Sequence, residues 1–204
     1  MRSFQAIFGL NAQENTSRGQ EGWSIYTSAE FASKMSGGQF SFNQYVVDIR
    51  RYQPLGFNSN LNIRVRGGTS EKSVPLQKQF EIGGIGTLPA YPYKYRSGSR
   101  MILANAELIV GTGFFKDADF WLLDVLDSFT WITFSDAGWV SDDTQSQVPY
   151  NKWNKGFEKI NWDDFAHNFG VGIANRSGSF RFGYAWRTTD RTGGLWFLRI
   201  TRPF

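Results

Sequence analysis

The sequence predicts an all-β protein, an antiparallel transmembrane β-barrel of about eight or nine strands with long loops on one side. The first observation is that apolar and polar side chains alternate in almost every segment of the 204-residue chain. The second is that aromatic residues make up 17% of the chain and glycine occurs 22 times, as aromatic girdles and closely packed strands require. The third is the last segment, which alternates up to a terminal aromatic, Phe204. We expect one domain, residues 1–204.

Helical membrane spans are excluded by the hydropathy of the chain. The mean hydropathy is -0.38, and no apolar run approaches the roughly twenty residues that a membrane helix needs. A barrel strand escapes this test, because only every second residue faces lipid.

Segments with a period of two recur along the whole chain, as half-buried β-strands require. Four lie in its first third, at residues 4–10, 23–31, 45–49 and 61–66. Five more follow, at residues 102–110, 130–140, 169–174, 180–187 and 195–204. In the segment 180–187, one face carries four aromatic residues and is predicted to meet lipid: Phe180, Phe182, Tyr184 and Trp186.

One face of each predicted strand is apolar, and the other carries charge and glycine. In a soluble antiparallel protein the apolar face packs into a core between two sheets, and the charged face meets water. In a membrane barrel the apolar face meets lipid, and the charged face lines a polar lumen. Periodicity alone does not separate the two architectures.

The predicted connections between strands are of two lengths, short turns and long loops. Short turns are predicted near residues 36–38, 54–56, 176–178 and 192–194. Two long polar loops are predicted at 67–100 and 141–164, and a short helical stripe at 117–129. Long loops on one side and short turns on the other are the asymmetry of an outer-membrane barrel.

Several classes of function receive little support from the composition. Cysteine is absent, which argues against zinc sites and disulfide scaffolds. The net charge of +4 is spread along the chain, so nucleic acid is not an expected partner. Gly83, Gly84 and Gly86 lack the lysine and the hydroxyl residue of a phosphate-binding loop. We therefore expect no cofactor and no metal.

The residues needed for catalysis are equally sparse. His167 is the single histidine, and a triad would need Ser177 or Ser179 and Asp163 or Asp164 to converge on it. The parity of His167 matches that of the phenylalanines on either side, which favours an interfacial or loop-base position. The sequence therefore predicts a protein that is not an enzyme.

An ordered series of short motifs resembles one family of bacterial surface proteins. The motifs are Gly22-Trp23-Ser24, Phe40-Ser41-Phe42, Asp48-Ile49-Arg50-Arg51-Tyr52-Gln53-Pro54-Leu55, Val74-Pro75-Leu76, Phe80-Glu81-Ile82-Gly83-Gly84-Ile85-Gly86-Thr87-Leu88, Asn105-Ala106-Glu107-Leu108, Phe134-Ser135-Asp136-Ala137-Gly138, Gly170-Val171-Gly172-Ile173 and the terminal Phe204. The series is similar to the bacterial surface antigen domain, the carboxy-terminal barrel of the outer-membrane protein 85 superfamily, over residues 22–204. The resemblance implies a barrel in the bacterial outer membrane that assembles or translocates proteins, as BamA-like and TamA-like factors do, or anchors a larger protein.

The resemblance also implies a site inside the barrel. The loop after Gly83-Gly84 is expected to fold back into the lumen and to place an Arg-Gly-aromatic tip against acidic residues, here Glu107 and Asp136. This chain reads Leu88-Pro89-Ala90-Tyr91 at the tip, so the arginine and the glycine are both replaced. Two carboxylates in a confined lumen are costly without a cation. Candidate replacements are Lys94, Arg96, Arg100, Arg64, Arg66 and Arg181.

An alternative interpretation stays open for these carboxylates, namely that Glu107 and Asp136 only solvate a wet interior.

The closing strand carries a second implied site. There the resemblance implies an assembly signal that barrel-insertion machinery reads during biogenesis, formed by Trp196, Leu198, Ile200 and Phe204. Other expected partners are outer-membrane lipid and a client or passenger protein.

A different class of function is a small outer-membrane or surface module that binds lipopolysaccharide or glycan through the loop 141–164. Charge pairing and aromatic contact would supply the binding. The residues in question are Tyr150, Lys152, Trp153, Lys155, Phe157, Lys159 and Trp162. The competing interpretation is an ordinary aromatic belt at the membrane interface.

The number of strands and the start of the chain leave its extent open. Barrels of the family have more strands than this chain offers, so we weigh a fragment, a half barrel completed by a partner and a small barrel closed on itself. The chain begins Met1-Arg2-Ser3-Phe4 and has no apolar region of a secretory signal. Either the mature numbering begins here, or these residues are the carboxy-terminal part of a longer protein.

Overall fold

The computed structural model describes residues 2–16, 19–34, 40–56, 58–72, 74–111, 129–141, 156–175, 180–189 and 193–200. The strands are β1 (Ser3–Thr16), β2 (Gly19–Ala32), β3 (Phe42–Gly56), β4 (Ser59–Lys72), β5 (Phe80–Ile82), β6 (Arg96–Gly98), β7 (Arg100–Val110), β8 (Thr130–Ser141), β9 (Ala166–Ala174), β10 (Phe180–Arg187) and β11 (Gly194–Ile200). Short 3-10 turns lie at Leu76–Lys78, Phe157–Lys159 and Trp162–Asp164. No helix in the described ranges is long and apolar enough to cross a membrane.

Nine of these strands form one antiparallel sheet in the order β1-β2-β3-β4-β7-β8-β9-β10-β11. Each strand pairs with the next one of this order, and β5 and β6 form a separate small hairpin. The predicted all-β antiparallel fold and the predicted number of strands are confirmed. The first four strands are longer than the alternation predicted, with 14 or 15 residues each.

The two faces of the sheet differ as the alternation predicted. The inner face, which lines a cavity, carries polar residues in register across five strands: Arg50, Arg64, Asn105, Asp136 and Asn168. The outer face carries apolar residues, and among them Phe180, Phe182 and Trp186 of β10 are exposed. Between them Gly183 and Ala185 are buried on the inner side. This is the arrangement of an apolar outside around a polar lumen.

A buried apolar cluster fills part of the interior. It forms where residues 74–98, which connect β4 to β7, lie on the inner face of β7, β8 and β9. The members are Val46, Phe80, Ile82, Leu88, Ala90, Tyr91, Met101, Ile132, Phe134, Ala166, Ala174 and Ala185. One side of the lumen is therefore packed like a protein core, because the connection folds inward.

The prediction of a loop at 67–100 is wrong at both of its boundaries. Residues 67–72 continue β4 in register with β3, and Arg100 already belongs to β7. The physical reason is Gly68, where an added Cβ would lie 2.5 Å from a ring carbon of Phe80. A glycine that suggests a loop in the sequence marks a close packing contact within a strand.

Other sequence predictions fall on residues that the structure does not describe. These are the turns at 36–38 and 176–178, nearly all of the helical stripe at 117–129, and residues 142–155 of the second long loop. The turn near 54–56 is described: β3 ends at Gly56, whose φ of 86° favours glycine, and β4 begins at Ser59.

The barrel is open in this structure. β1 and β11 are the two ends of the sheet, and no register joins them among the described residues. The sheet nevertheless curves around the lumen, because one cavity is lined both by Gln20 of β2 and by Arg199 of β11. A small barrel closed on itself does not match this arrangement.

Candidate functional site

The lumen contains a cavity of about 560 Å³. Its lining combines charged and amide side chains with the inward loop. The polar lining residues include Gln20, Arg50, Asn62, Arg64, Thr87, Asn105, Glu107, Asp136, Arg181 and Arg199. The cavity is thus a chamber with a largely polar lining, bounded on one side by the loop.

Residues 83–95 form a compact loop because two glycines adopt a left-handed backbone. Gly83 and Gly84 have φ values of 112° and 85°. An added Cβ on Gly83 would lie 2.2 Å from the Pro92 carbonyl oxygen. The Gly84 amide donates to the carbonyls of Leu88 and Tyr91, at 3.1 and 3.0 Å. The loop therefore closes on itself before it reaches the wall of the sheet.

The loop tip is held by an arginine of the barrel wall. The side chain of Arg187, the last residue of β10, donates from Nε to the Ala90 carbonyl at 2.8 Å. Its guanidinium also lies 4.8 Å from the centre of the Tyr91 ring, a cation-π contact. The buried Tyr91 hydroxyl donates to the His167 carbonyl at 3.1 Å. Where the resemblance implies an arginine in the tip itself, this tip receives one from a strand.

Asp136 is held by two amides. Its carboxylate is 7% exposed and accepts from Asn105 Nδ2 at 2.7 Å and from Asn168 Nδ2 at 2.8 Å. Asn105 Nδ2 also donates to the Thr87 carbonyl at 3.0 Å, which links the loop to the same group. Both asparagines stand in register with Asp136, on the strands to either side. Neutral donors thus satisfy a buried carboxylate and bind the loop at the same point.

Glu107 makes a different contact. Its carboxylate pairs with Arg181 at 2.7 Å, and this ion pair joins β7 to β10 across the inner face of β8 and β9. Both side chains are about three-quarters buried. The pair therefore draws the two strands together around the curve of the sheet.

Of the other cations that the sequence offered to these carboxylates, Arg66 forms no ion pair among the described residues and four make contacts elsewhere. Lys94 pairs with Glu81 at 2.7 Å at the outer end of the loop, and this hydrogen bond raises the pKa of Lys94. Arg96 Nη1 donates to the Asp164 carbonyl at 2.7 Å. The buried Arg100 donates to the carbonyls of Ser70 and Ser99. Arg64 pairs with Asp48. Of the predicted lumen residues, the structure brings Tyr91, Glu107 and Asp136 to the wall of β7 to β10.

The residues that sequence reasoning missed are Arg187, Asn105 and Asn168. Arg187 shares the parity of Arg181, so it could have been placed on the lumen face. Its contact with the loop depends on the register of β10 with β9, which no local pattern shows. The two asparagines carry no charge, and so they drew no attention as partners for a carboxylate.

Two phenylalanine rings pack closely against glycines on the lumen side. An added Cβ on Gly170 would lie 2.1 Å from Cζ of Phe134, and one on Gly183 would lie 2.7 Å from Cζ of Phe197. The two rings meet edge to face with centroids 5.6 Å apart. The glycines of β9 and β10 are therefore sites of close packing.

The predicted assembly-signal residues lie on the outer face of β11. Trp196, Leu198 and Ile200 are exposed there, and Trp196 stacks on Phe182 of β10 at 5.2 Å. Phe204 lies outside the described residues.

The residues considered for catalysis do not assemble in the described part of the chain. The His167 ring stacks on Phe165, with centroids 5.9 Å apart, and Asp163 and Asp164 lie in a 3-10 turn. Ser177 and Ser179 lie outside the described residues. Within the described ranges, no group of three His, Cys, Asp or Glu side chains is placed to hold a metal ion.

The aromatic loop considered for surface binding is described only in its last part. Trp162 is 77% exposed and stacks on Phe165 at 5.2 Å, while Phe157 packs near Trp139 at 5.9 Å. Residues 142–155, with Tyr150, Lys152, Trp153 and Lys155, lie outside the described residues, as does the side chain of Lys159.

Together these features define a class, an antiparallel barrel sheet with an apolar outside, a polar lumen and an inward loop bound to its wall. A model of the Omp85 superfamily domain matches residues 3–197. The chain belongs to this superfamily, which confirms the resemblance seen in the sequence. Members of the superfamily are outer-membrane proteins of insertion and transport.

Solved structures agree on the fold. The crystal structure of BamA from Haemophilus ducreyi lacking POTRA domains 1-3 superposes with a TM-score of 0.67 at 16% sequence identity. The match covers 96% of this chain and 40% of that chain, so this chain spans less than half of the BamA structure. A search of the curated proteins finds no match.

Proposed function

We propose that the chain is an outer-membrane β-barrel that inserts or translocates client proteins in a bacterial outer membrane. The observation that supports this role is the inward loop, which is bound inside the lumen to the wall of β7 to β10. In lipid, backbone N–H and C=O groups must find partners. We propose that a client β-strand pairs with the edge of β1 that faces away from β2.

The geometry of β1 suits strand exchange. It pairs with β2 over 14 residues, from Ser3 to Thr16, and its other edge is unpaired in the described structure. Its outer face carries Phe4 and Phe8, which are 69% and 62% exposed. An incoming strand would gain backbone hydrogen bonds along β1 and would continue the apolar outer face, as in β-strand addition.

The inward loop supports the same class of function. It occupies part of the lumen, and we propose that Asp136, through Asn105, and Arg187, through Ala90 and Tyr91, lock it there. Glu107 keeps the wall curved beneath it through Arg181. A lumen obstructed in this way favours passage of clients along the seam of the sheet over passage through a central pore.

The test is site-specific photo-crosslinking from the outer face of an edge strand and of a central strand. A photoreactive amino acid replaces Phe8 of β1 or, as the control, Val47 of β3, which is also exposed outward but paired on both sides. Proteoliposomes containing each variant receive a urea-unfolded outer-membrane barrel protein. We expect adducts between position 8 and a β-strand of the client, and lipid adducts alone at position 47. Equal client adducts at both positions would rule out an edge-specific role.

The terminal strand carries a second part of the proposal, the recognition of this chain by barrel-insertion machinery. We propose that the signal is the apolar outer face formed by Trp196, Leu198 and Ile200 and ending in Phe204. Replacing Phe204 with Ser is expected to lower the folded fraction in cells and to leave refolding in detergent largely unchanged. A purely structural role would lower both, because lost burial of roughly 1.5 to 3 kcal/mol acts in both settings.

A further inference from the structure

Two adjacent rows of inward side chains on β2, β3 and β4 form an arginine-rich patch. The first row, in register, contains Tyr26, Asp48 and Arg66, and the second contains Ser24, Arg50 and Arg64. Arg50 and Arg64 line the lumen cavity. We call this patch the arginine cluster, formed by Arg50, Arg64 and Arg66 around Asp48.

A single carboxylate serves two of the three arginines. The buried Asp48 accepts from Arg50 Nε at 3.1 Å and from Arg64 Nε at 3.1 and 3.0 Å. Arg50 Nη2 also donates to the second carboxylate oxygen at 3.5 Å, so both oxygens accept from Arg64 and from Arg50. Three guanidinium charges against one carboxylate leave the cluster with an excess of two positive charges.

Arg66 has no partner in the described part of the chain. Its Nε is buried and makes no hydrogen bond, and no ion pair joins its guanidinium to any described residue. Its neighbours Arg50 and Arg64 carry the same charge. A guanidinium that is half-buried, unpaired and next to two others is costly unless an anion approaches it.

We infer that the arginine cluster binds an oxyanion with two negative charges, of the chemical class of a phosphate group. Two observations select this ligand. The excess of two positive charges matches a doubly charged group, and guanidinium groups donate in pairs to the oxygens of phosphate. The Tyr26 hydroxyl, in the same row as Arg66, is a further donor for such a ligand. The cavity reaches the cluster at Arg50 and Arg64, which line it.

The assignment does not depend on the proposed insertion role, because the site uses side chains of β2, β3 and β4 and needs no client. Its test is binding of inorganic phosphate to the full chain refolded in detergent, measured by isothermal titration calorimetry. We expect saturable binding of phosphate and of sulfate, and none of chloride at matched ionic strength. Binding that does not distinguish phosphate from chloride would overturn the proposal, since it would show charge screening alone.

Variants at one position locate the site. Arg66→Gln is expected to weaken phosphate binding about tenfold, the loss of one charge-assisted hydrogen bond. Arg66→Lys should bind more tightly than Arg66→Gln because it keeps the charge. The matched control is Arg199→Gln, which removes another cavity-lining arginine, from β11, and should bind phosphate as the unmodified protein does. Heat-modifiable migration on a gel confirms that each variant is folded.

A second readout separates binding from a structural role. If the role of Arg66 is to bind an anion, Arg66→Gln should have the same melting temperature as the unmodified protein, or a higher one, in chloride alone. The melting temperature of Arg66→Gln should then rise less than that of the unmodified protein on addition of phosphate. A lower melting temperature in chloride together with unchanged phosphate affinity would make Arg66 a structural residue and would overturn the proposal.

Discussion

The wall of β7 to β10 and the edge strand β1 belong to one sheet and differ in how they are packed. On the wall, Leu88 lies within reach of Gly138, and Phe134 covers Gly170. Along β1, every residue but Gln13 is exposed, and an added Cβ on Gly9 would meet nothing within 4 Å. Regions with few buried contacts open first. The difference indicates that the wall is tightly packed, while β1 makes few packing contacts within the described part of the chain.

The largest expected effect tests the outer face of the packed wall. Phe182→Arg places a charge among the exposed aromatic residues of β10 and should lower the free energy of unfolding in lipid vesicles by about 2 to 4 kcal/mol. Phe182→Leu is the control and should cost much less, because it keeps the site apolar. Urea unfolding followed by tryptophan fluorescence measures both. Equal losses for the two variants would contradict an orientation of this face toward lipid.

A pair of glycine substitutions compares the wall with the edge directly. Gly170→Val drives a side chain into the Phe134 ring, which an added Cβ already approaches to 2.1 Å, and should cost about 1 to 3 kcal/mol of unfolding free energy. Gly9→Val meets open space on β1 and should change stability by less than about 0.5 kcal/mol. If both variants lose the same stability, the wall is no more tightly packed than the edge.

A smaller effect tests the loop contact on the wall. Arg187→Met removes the hydrogen bond to Ala90 and the cation-π contact with Tyr91, and should destabilise the docked loop by about 1 to 2 kcal/mol. Limited proteolysis within residues 83–95 reports on the loop itself, and it should become faster. Arg199→Met is the control and should leave cleavage unchanged. Unchanged cleavage in Arg187→Met would mean that other contacts hold the tip.

The smallest expected effect isolates one hydroxyl. Tyr91→Phe keeps the ring against Arg187 and removes the contacts of the hydroxyl with the His167 carbonyl, at 3.1 Å, and with Thr189 Oγ1, at 3.4 Å. We expect a cost of about 0.5 to 1.5 kcal/mol. Loop proteolysis should therefore rise less than in Arg187→Met. A larger rise in Tyr91→Phe would shift the main attachment from the arginine to the hydroxyl.

Much of the fold could be predicted from the sequence, because successive side chains of a β-strand point alternately to its two faces. The alternation at 180–187 placed Phe182 outward and Gly183 inward, as the structure does. Gly68 was misassigned, since a glycine in a strand and a glycine in a loop look alike until the ring that packs on it is known. Local patterns fix which face a residue occupies and leave its neighbour on that face undetermined.

The site was less predictable for the same reason. Glu107 and Asp136 were expected in the lumen and line its cavity, but their partners depend on the register between strands and on the path of the loop. The contact of Arg187 with Ala90 joins residues that are 97 positions apart. Cations near in sequence, such as Lys94, were the natural candidates, and Lys94 instead pairs with Glu81, which the hairpin brings beside it.

The arginine that binds the loop tip stands on the wall, and this affects how an electric field acts on the loop. The tip, Leu88-Pro89-Ala90-Tyr91, is uncharged, and Arg187 would stay with β10 if the tip withdrew. A tip that carried its own arginine would move a charge through the lumen, and a voltage across the membrane does work on every charge that moves. Motion of this tip transfers no such charge, so applied voltage should leave its position unbiased.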